Sequence, residues 1–375
     1  MTPRERWQAV LEHRLPDRVP TDYWATPEFS ARLIRYLGLS SRSEPDLVQD
    51  LSLPLHDNNL KPSTGFAALR RALSQLEVDF VVKVVPGYVG PRLADGFDEF
   101  GCRHRNVAFG SGDYDETVTH PLADYQSVAE IERNYTWPSP DWWYFKDISR
   151  QVSGWEDYPI RAGGSEPFLT YKELRGESQA YIDLKRNPEI VLYCLNKLFD
   201  LSYSLTVRCY EQLPRDILLL SYVSEDLGGQ NGLLIAPEHI REFLFPGMKR
   251  MIELVRPRGA HVFHHDDGGI ARILPELVDL GIELLNPVQW RAAGMDRQRL
   301  KNDYGGRLVF HGAMDNQQTL PFGTEADVSQ EVLDNIRLLG SGGGYILAPC
   351  HNLQAITPPE NVVAMYQACR EAGSY

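Results

Sequence analysis

Eight short apolar runs, most of them followed by amphipathic stretches, constrain this chain more than any other feature. The runs are RVPTDYW (18–24), VDFVVKVV (78–85), YPIRAGG (158–164), DILLLSYVSEDL (216–227), AHVFHHDDG (260–268), IELLNPVQ (282–289), RLVFHGAMD (307–315) and GYILAPCHN (344–352). Several are nearly continuous apolar segments, as strands of a parallel sheet buried on both faces must be. Between the later runs, Ile240, Phe243, Leu244, Met248, Ile252 and Val255 recur at spacings of three and four, the signature of a helix with one apolar face. Ile273, Leu274, Leu277 and Val278 repeat the pattern, as do Val328, Val332, Leu333, Ile336 and Leu339. Asn187-Pro188 and Thr357-Pro358 read as helix starts, a capping side chain followed by proline in the first turn.

Strand–helix alternation at this spacing means βαβ units. Eight of them predict an α/β fold, a single (β/α)8 TIM barrel over residues 1–375. The rival is an open doubly wound sheet. It needs a glycine-rich phosphate turn after the first strand, and DYWATPEF is not one. The gap between the second and third runs is long and rich in Trp, Tyr and Pro. Residues 86–157 are therefore expected to form an insertion or lid, with a decorating subdomain or dimer contact as the alternative.

Composition narrows the function. No apolar run approaches the roughly 20 residues that cross a bilayer. MTPRERWQAV has charges but no apolar stretch behind them, so no secretory signal and a cytoplasmic location are expected. A net charge of −13 repels phosphate backbones, which argues against nucleic acid as a partner. Five cysteines without a CxxC pair support neither a disulfide framework nor a zinc knuckle. A homodimer is the default assembly.

Active sites of such barrels lie at the C-terminal ends of the strands. The expected strand ends carry Asp22, Tyr23 and Trp24; Tyr222, Glu225 and Asp226; His264, His265, Asp266 and Asp267; Asn286 and Gln289; His311 and Asp315; and Cys350, His351 and Asn352. Polar and metal-competent groups thus collect at one end of otherwise apolar segments. In HHDDGG, alternation puts His265 and Asp267 on one face and His264 and Asp266 on the other. One imidazole and one carboxylate two residues apart suit a divalent metal, or a general base oriented by an acid, or a carboxylate capping the next helix. A third ligand has to come from a neighbouring strand end. His351 and Asp226 are the first choices, and Cys350 is the softer one. His311 and Asp315 are pocket candidates, although a buried His bonded to a backbone carbonyl is as common. Trp137, Trp142 and Trp143 suit either a ring-shaped ligand or lid packing.

The opening MTPRERWQAVLEHRLPDRVP, the segment HHDDGG followed by LPELVDLGIELLNPVQ, and the ending GGGYILAPCHNLQAITPPENVVAMYQA together resemble the uroporphyrinogen decarboxylase-like superfamily. The resemblance covers almost the whole chain and implies a (β/α)8 barrel. True uroporphyrinogen decarboxylases carry an arginine-rich segment near the N-terminus, of the form RQAGR, for substrate carboxylates. DYWATPEFSARL lacks it, with only Arg32 nearby. The other branch comprises zinc-dependent, corrinoid-linked methyltransferases with a His-x-Cys motif and a distant Cys. His265 matches the family histidine, Asp267 stands where the first Cys would be, and His351 stands near the second. Asp226 matches an acidic ligand.

The harder His/Asp/His set suits an oxygen substrate better than a thiol. The resemblance therefore implies a metal-dependent methyltransferase acting on a small methylated substrate, with a divalent metal, zinc, held by His265, Asp267, His351 and Asp226. A corrinoid enters only through a partner protein. Asp22, Tyr23, Trp24, Tyr222, Glu225, Asn286, Gln289, His311, Asp315 and Asn352 are the expected substrate contacts. One alternative is a cofactor-free decarboxylase, with Asp22 or Asp226 stabilising a protonated intermediate and Arg32, Arg92, Arg161 or Arg291 anchoring a carboxylate. The other is a non-catalytic binding module.

Overall fold

A computed structural model describes residues 1–53, 61–108 and 113–375. Seven of the eight apolar runs form strands: β1 (Val82–Val84), β2 (Ile160–Ser165), β3 (Leu218–Val223), β4 (His261–His265), β5 (Leu284–Asn286), β6 (Val309–Met314) and β7 (Tyr345–Pro349). They lie side by side in chain order and every neighbouring pair is parallel. Each parallel connection needs a crossover, and helices supply most of them on the outer face.

The first run, 18–24, is the exception. Pro20 has no N–H to give to a ladder. The segment meets β7 at one isolated parallel bridge, Thr21 with Leu347, and just past both of them Ala25 bridges Leu353 in the same sense. On its other side, side chains replace the ladder. Thr21 N donates to Asp79 Oδ2 at 3.1 Å, Asp79 N donates to Thr21 Oγ1 at 3.2 Å, and Val81 N donates to Asp22 Oδ1 at 3.0 Å. The expected eighth strand is thus an extended segment held between residues 79–81 and β7.

The interior is layered by the period-two alternation of the strands. Leu220, Phe263, Leu284, Val309 and Ile346 form an apolar floor, packed against the fully buried Trp7 of helix Pro3–Leu11. Two residues further along four of these strands stand Tyr222, His265, Asn286 and His311. One polar layer therefore lies directly above one apolar layer.

The outer helices mostly follow their sequence pattern. Helix Phe245–Val255 buries Met248, Met251, Ile252 and Val255. Helix Glu325–Asn335 buries Val328 and Val332, but Leu333 points to solvent. Asn187 does not cap helix Pro188–Gln212; its amide donates to Asp183 instead.

Between β1 and β2, strand Arg103–Ala108 pairs antiparallel with Asp113–Thr119, and Gly87–Tyr88 pairs with Trp143–Tyr144. Residues 109–112 of the expected 86–157 insertion lie outside the described residues. Trp137 packs edge-on against Tyr135 and Tyr193, so its ring belongs to the packing of helix Pro188–Gln212. Among the described residues no helix is long and apolar enough to cross a membrane.

Candidate metal centre

His265 ends β4, Asp267 follows it, and His351 follows β7. Their ligand atoms all lie within 4.8 Å of one another, an arrangement that fits a single cation. His351 Nε2 stands 3.8 Å from Asp267 Oδ2, and the His265 and His351 ring centres are 6.2 Å apart. Burial pulls His265 down to about 4 and also lowers His351, so both imidazoles are neutral lone-pair donors at neutral pH. Burial, and then the nearby Asp226, pushes the Asp267 carboxyl up to about 7. Two neutral imidazoles beside a carboxyl reluctant to ionise are groups whose electrostatics a cation would relieve.

A hydrogen-bonded chain behind His265 sets its orientation. Trp24 Nε1 donates to Asp22 Oδ2 at 2.8 Å, and His311 Nε2 lies 3.1 Å from the same oxygen. His311 Nδ1 lies 2.7 Å from Asn286 Nδ2, and His265 Nδ1 lies 2.6 Å from Asn286 Oδ1. The amide can only donate through nitrogen and accept through oxygen. His265 therefore carries its proton on Nδ1, which leaves the Nε2 lone pair for the cluster. His311 accepts on Nδ1 and donates from Nε2 to Asp22. Burial is the largest single effect on Asp22 and opposes its ionisation, but the His311 bond and charge together with the N–H groups of Val81 and Tyr23 hold the carboxyl below the ordinary carboxylate range.

The expected site residues divide by location. Beside the triad, a cavity of about 290 Å³ is lined by Asp267, His351, Gln289, Gln230 and Asp315, among others. Gln289 orients Asp267, donating Nε2 to Oδ1 at 3.2 Å, and accepts from Gly268 N. Asp315 is held by Arg291 and by the Gln317 N–H. Trp24 and Tyr222 stack near His265, with ring centres 5.6 and 6.1 Å away. Asp226 is not within the 4.8 Å cluster, but its charge acts on all three members, and its Oδ1 is buried without a hydrogen-bond partner.

Other expected substrate contacts lie away from the cavity. Asp22, Asn286 and His311 are buried in the chain behind His265. Glu225 is fully buried and accepts from Phe168 N at 3.0 Å, which ties β3 to the helix after β2. Tyr23 bonds Ser30, and Tyr23 and Asn352 line a separate groove with Phe66 and Trp155. On the opposite face of HHDDGG, Asp266 accepts from Leu227 N and Gly228 N, a structural cap. The Cys350 thiol is buried against Val288 O, and burial raises it far above a thiolate range, so it supplies no soft ligand. The sequence reading missed the Asn286–His311 link and also Lys83. Lys83 was detectable as the one positive charge inside the apolar run VDFVVKVV.

The family model described as uroporphyrinogen decarboxylase (URO-D) matches residues 166–372, more than half of the chain. The chain belongs to this family. Among solved structures, a methyltransferase from Methanosarcina mazei is similar with a TM-score of 0.69 and 18% identity, covering 99% of both chains. At that identity the likeness establishes the fold. A 3-keto-D-glucoside 4-epimerase from E. coli gives a TM-score of 0.34 at 10% identity over 60% of this chain and 84% of its own. SrfJ from Salmonella typhimurium gives 0.39 at 10% identity over 95% of this chain and 76% of its own. Likenesses that weak carry no argument. No curated protein matches the sequence.

Proposed function

We propose that this chain is a metal-dependent methyltransferase acting on a small methylated substrate, with the cobalt of a separate corrinoid protein as acceptor. The observation that carries the reading is the convergence of His265, Asp267 and His351 within 4.8 Å, next to an open cavity of about 290 Å³. Zinc suits two imidazoles and a carboxylate with one position left for substrate, and when bound it polarises the heteroatom that carries the methyl group.

The protein's own contribution is orientation and exclusion of water. The chain from Asp22 through His311 and Asn286 keeps the His265 Nε2 lone pair facing the cluster. Gln289 fixes Asp267. Trp24 and Tyr222 stack near His265 and keep water from that side of its ring. Holding the methyl group in line with its acceptor supplies the rest.

The decarboxylase alternative needs at least two guanidinium groups free to take a carboxylate at the mouth. Of the four arginines singled out, Arg32 is half-buried on helix Pro27–Tyr36, Arg92 is exposed and Arg291 is engaged with Asp315, while Arg161 lines a cavity. The surroundings of the triad are acidic and rich in histidine, which favours a cation. An open cavity beside polar groups also disfavours a purely structural module. Elemental analysis of protein purified without chelators tests the reading, with His265→Ala as control. Stoichiometric zinc or a similar divalent ion, lost in His265→Ala, is expected. Protein without stoichiometric metal rejects it.

A further inference from the structure

We infer that Lys83 and Arg161 form an anion subsite, so that the methylated substrate of the proposed reaction carries a carboxylate. Three observations lead there. Lys83 on β1 and Arg161 on β2 are register partners in a parallel pair, so their side chains leave neighbouring strands on the same face. Both line one cavity of about 420 Å³ together with Ser165, Glu166 and Tyr222. Both cations also lie against aromatic rings that neighbour His265. Arg161 Cζ stands 4.5 Å from the Tyr222 ring centre, and Lys83 Nζ stands 5.1 Å from that of Trp24. The same two rings stack near His265. A molecule anchored at the cations thus has the metal cluster one ring away.

The local electrostatics point the same way. Burial disfavours both charges: it lowers Arg161, and it takes Lys83, with Arg161 adding to the effect, down to about 8. The carboxylates that act on Arg161 are Asp22, already bonded by His311 and Trp24, and Glu166. Burial, followed by Asp226, raises Glu166 to about 7, so near neutrality it supplies only part of a charge. Glu99 also lines the cavity, and burial raises it too. Two like charges side by side and partly desolvated gain from a small anion that bridges them. A guanidinium beside an ammonium suits a carboxylate, which takes two donors on one oxygen pair.

This inference rests on the methyltransferase reading, and the experiment separates the two. The probes are methoxyacetate and its uncharged counterpart 2-methoxyethanol. Both are titrated calorimetrically into the full chain, once as purified and once after chelator treatment. Methoxyacetate is expected to bind at least about tenfold more tightly in both forms. Arg161→Gln and Lys83→Met are each expected to remove most of that preference, while Arg161→Lys retains part of it. Equal binding of the two probes to the wild-type chain overturns the subsite whether or not any variant folds. So does a preference that survives in folded Arg161→Gln. Preferential binding of methoxyacetate by a chain that holds no metal and releases carbon dioxide from the probe sinks the methyltransferase reading and leaves the subsite standing. With a reduced corrinoid supplied as methyl acceptor, demethylation of 2-methoxyethanol as fast as methoxyacetate does the reverse.

Discussion

His265 Nδ1 sits 2.6 Å from Asn286 Oδ1, and this contact selects the nitrogen that His265 offers to the cluster. An amide oxygen accepts only, so the proton stays on Nδ1 and the lone pair on Nε2. Asn286→Leu removes that selection and strands His311 Nδ1 without a donor. Metal affinity is expected to fall about 10- to 100-fold, the usual consequence of losing a ligand's outer partner. Asn286→Asp, which still accepts from His265, is expected to lose less. Competition against a fluorescent zinc chelator measures both. Equal affinity in wild type and Asn286→Leu would show that His265 is oriented by something else.

The carboxyl groups around the triad make a prediction about pH. Glu166 and Asp267 are raised to about 7 and Asp266 to about 6, in each case chiefly by burial. Between their unfolded values near 4 and these folded values, the folded protein binds more protons than the unfolded chain. Their stabilising contribution is therefore complete at the acid end and is lost as pH rises through about 7. His265, lowered to about 4, acts oppositely, but only below an unfolded value near 6.5. Between pH 6.5 and 8 the carboxyls dominate. Metal-free protein is expected to lose Tm across that window, and Asp267→Asn to lose less. Added zinc is expected to reverse the slope, because metal binding requires deprotonated ligands. Calorimetric scans with and without chelator decide it, and a flat profile in metal-free protein contradicts the electrostatic picture.

The sheet was legible because strands buried on both faces must be nearly continuous in apolar residues, and seven of the runs are strands. Residues 18–24 read as the eighth, yet Pro20 and the side-chain bonds of Thr21 and Asp22 replace a ladder there. Periodicity cannot register that substitution. The pairing of His265 with Asp267 followed from alternation alone, and His351 from its place at another strand end. The roles of Asn286, His311 and Asp22 did not. All three stand where substrate contacts are expected, and only the packing of β5, β6 and the extended segment 18–24 turns them toward each other. Glu225 misleads for the same reason, since a carboxylate at a strand end is as able to hold a backbone N–H as to face a cavity.

Arg175 and Asp183 form a fully buried ion pair, Nε to Oδ2 at 2.6 Å. Asp183 also accepts from Tyr171 at 2.8 Å and from Gln179 and Asn187 at 2.7 Å each. Arg175 reaches on to the carbonyls of Leu122 and Tyr125, so this one charge fastens the segment between β1 and β2 to the helix after β2. Asp183→Asn keeps the shape and removes the countercharge. It is expected to destabilise the protein by about 3–5 kcal/mol, as breaking a buried pair from one side does. Chemical denaturation reads the change, and a loss below about 1 kcal/mol would mean that the carbonyls alone satisfy Arg175.

Gly164 holds the wall between the two cations and the triad. Its φ is +143°, and a Cβ there would lie 2.2 Å from Tyr222 O and 2.8 Å from Tyr222 Cβ. The register between β2 and β3 shifts between Arg161 and Gly164, so the glycine is what allows β2 to close against Tyr222 while Arg161 still stands over that ring. Gly164→Ala must push Tyr222 away or strain the backbone, at a cost of about 1–3 kcal/mol. Because Tyr222 lies between Arg161 and His265, the displacement is expected to weaken methoxyacetate binding more than zinc binding, whose ligands all come from other elements. Parallel titrations of the two ligands on folded Gly164→Ala test this. Equal loss of both would mean that Tyr222 supports the whole mouth and does not separate an anion subsite from the metal cluster.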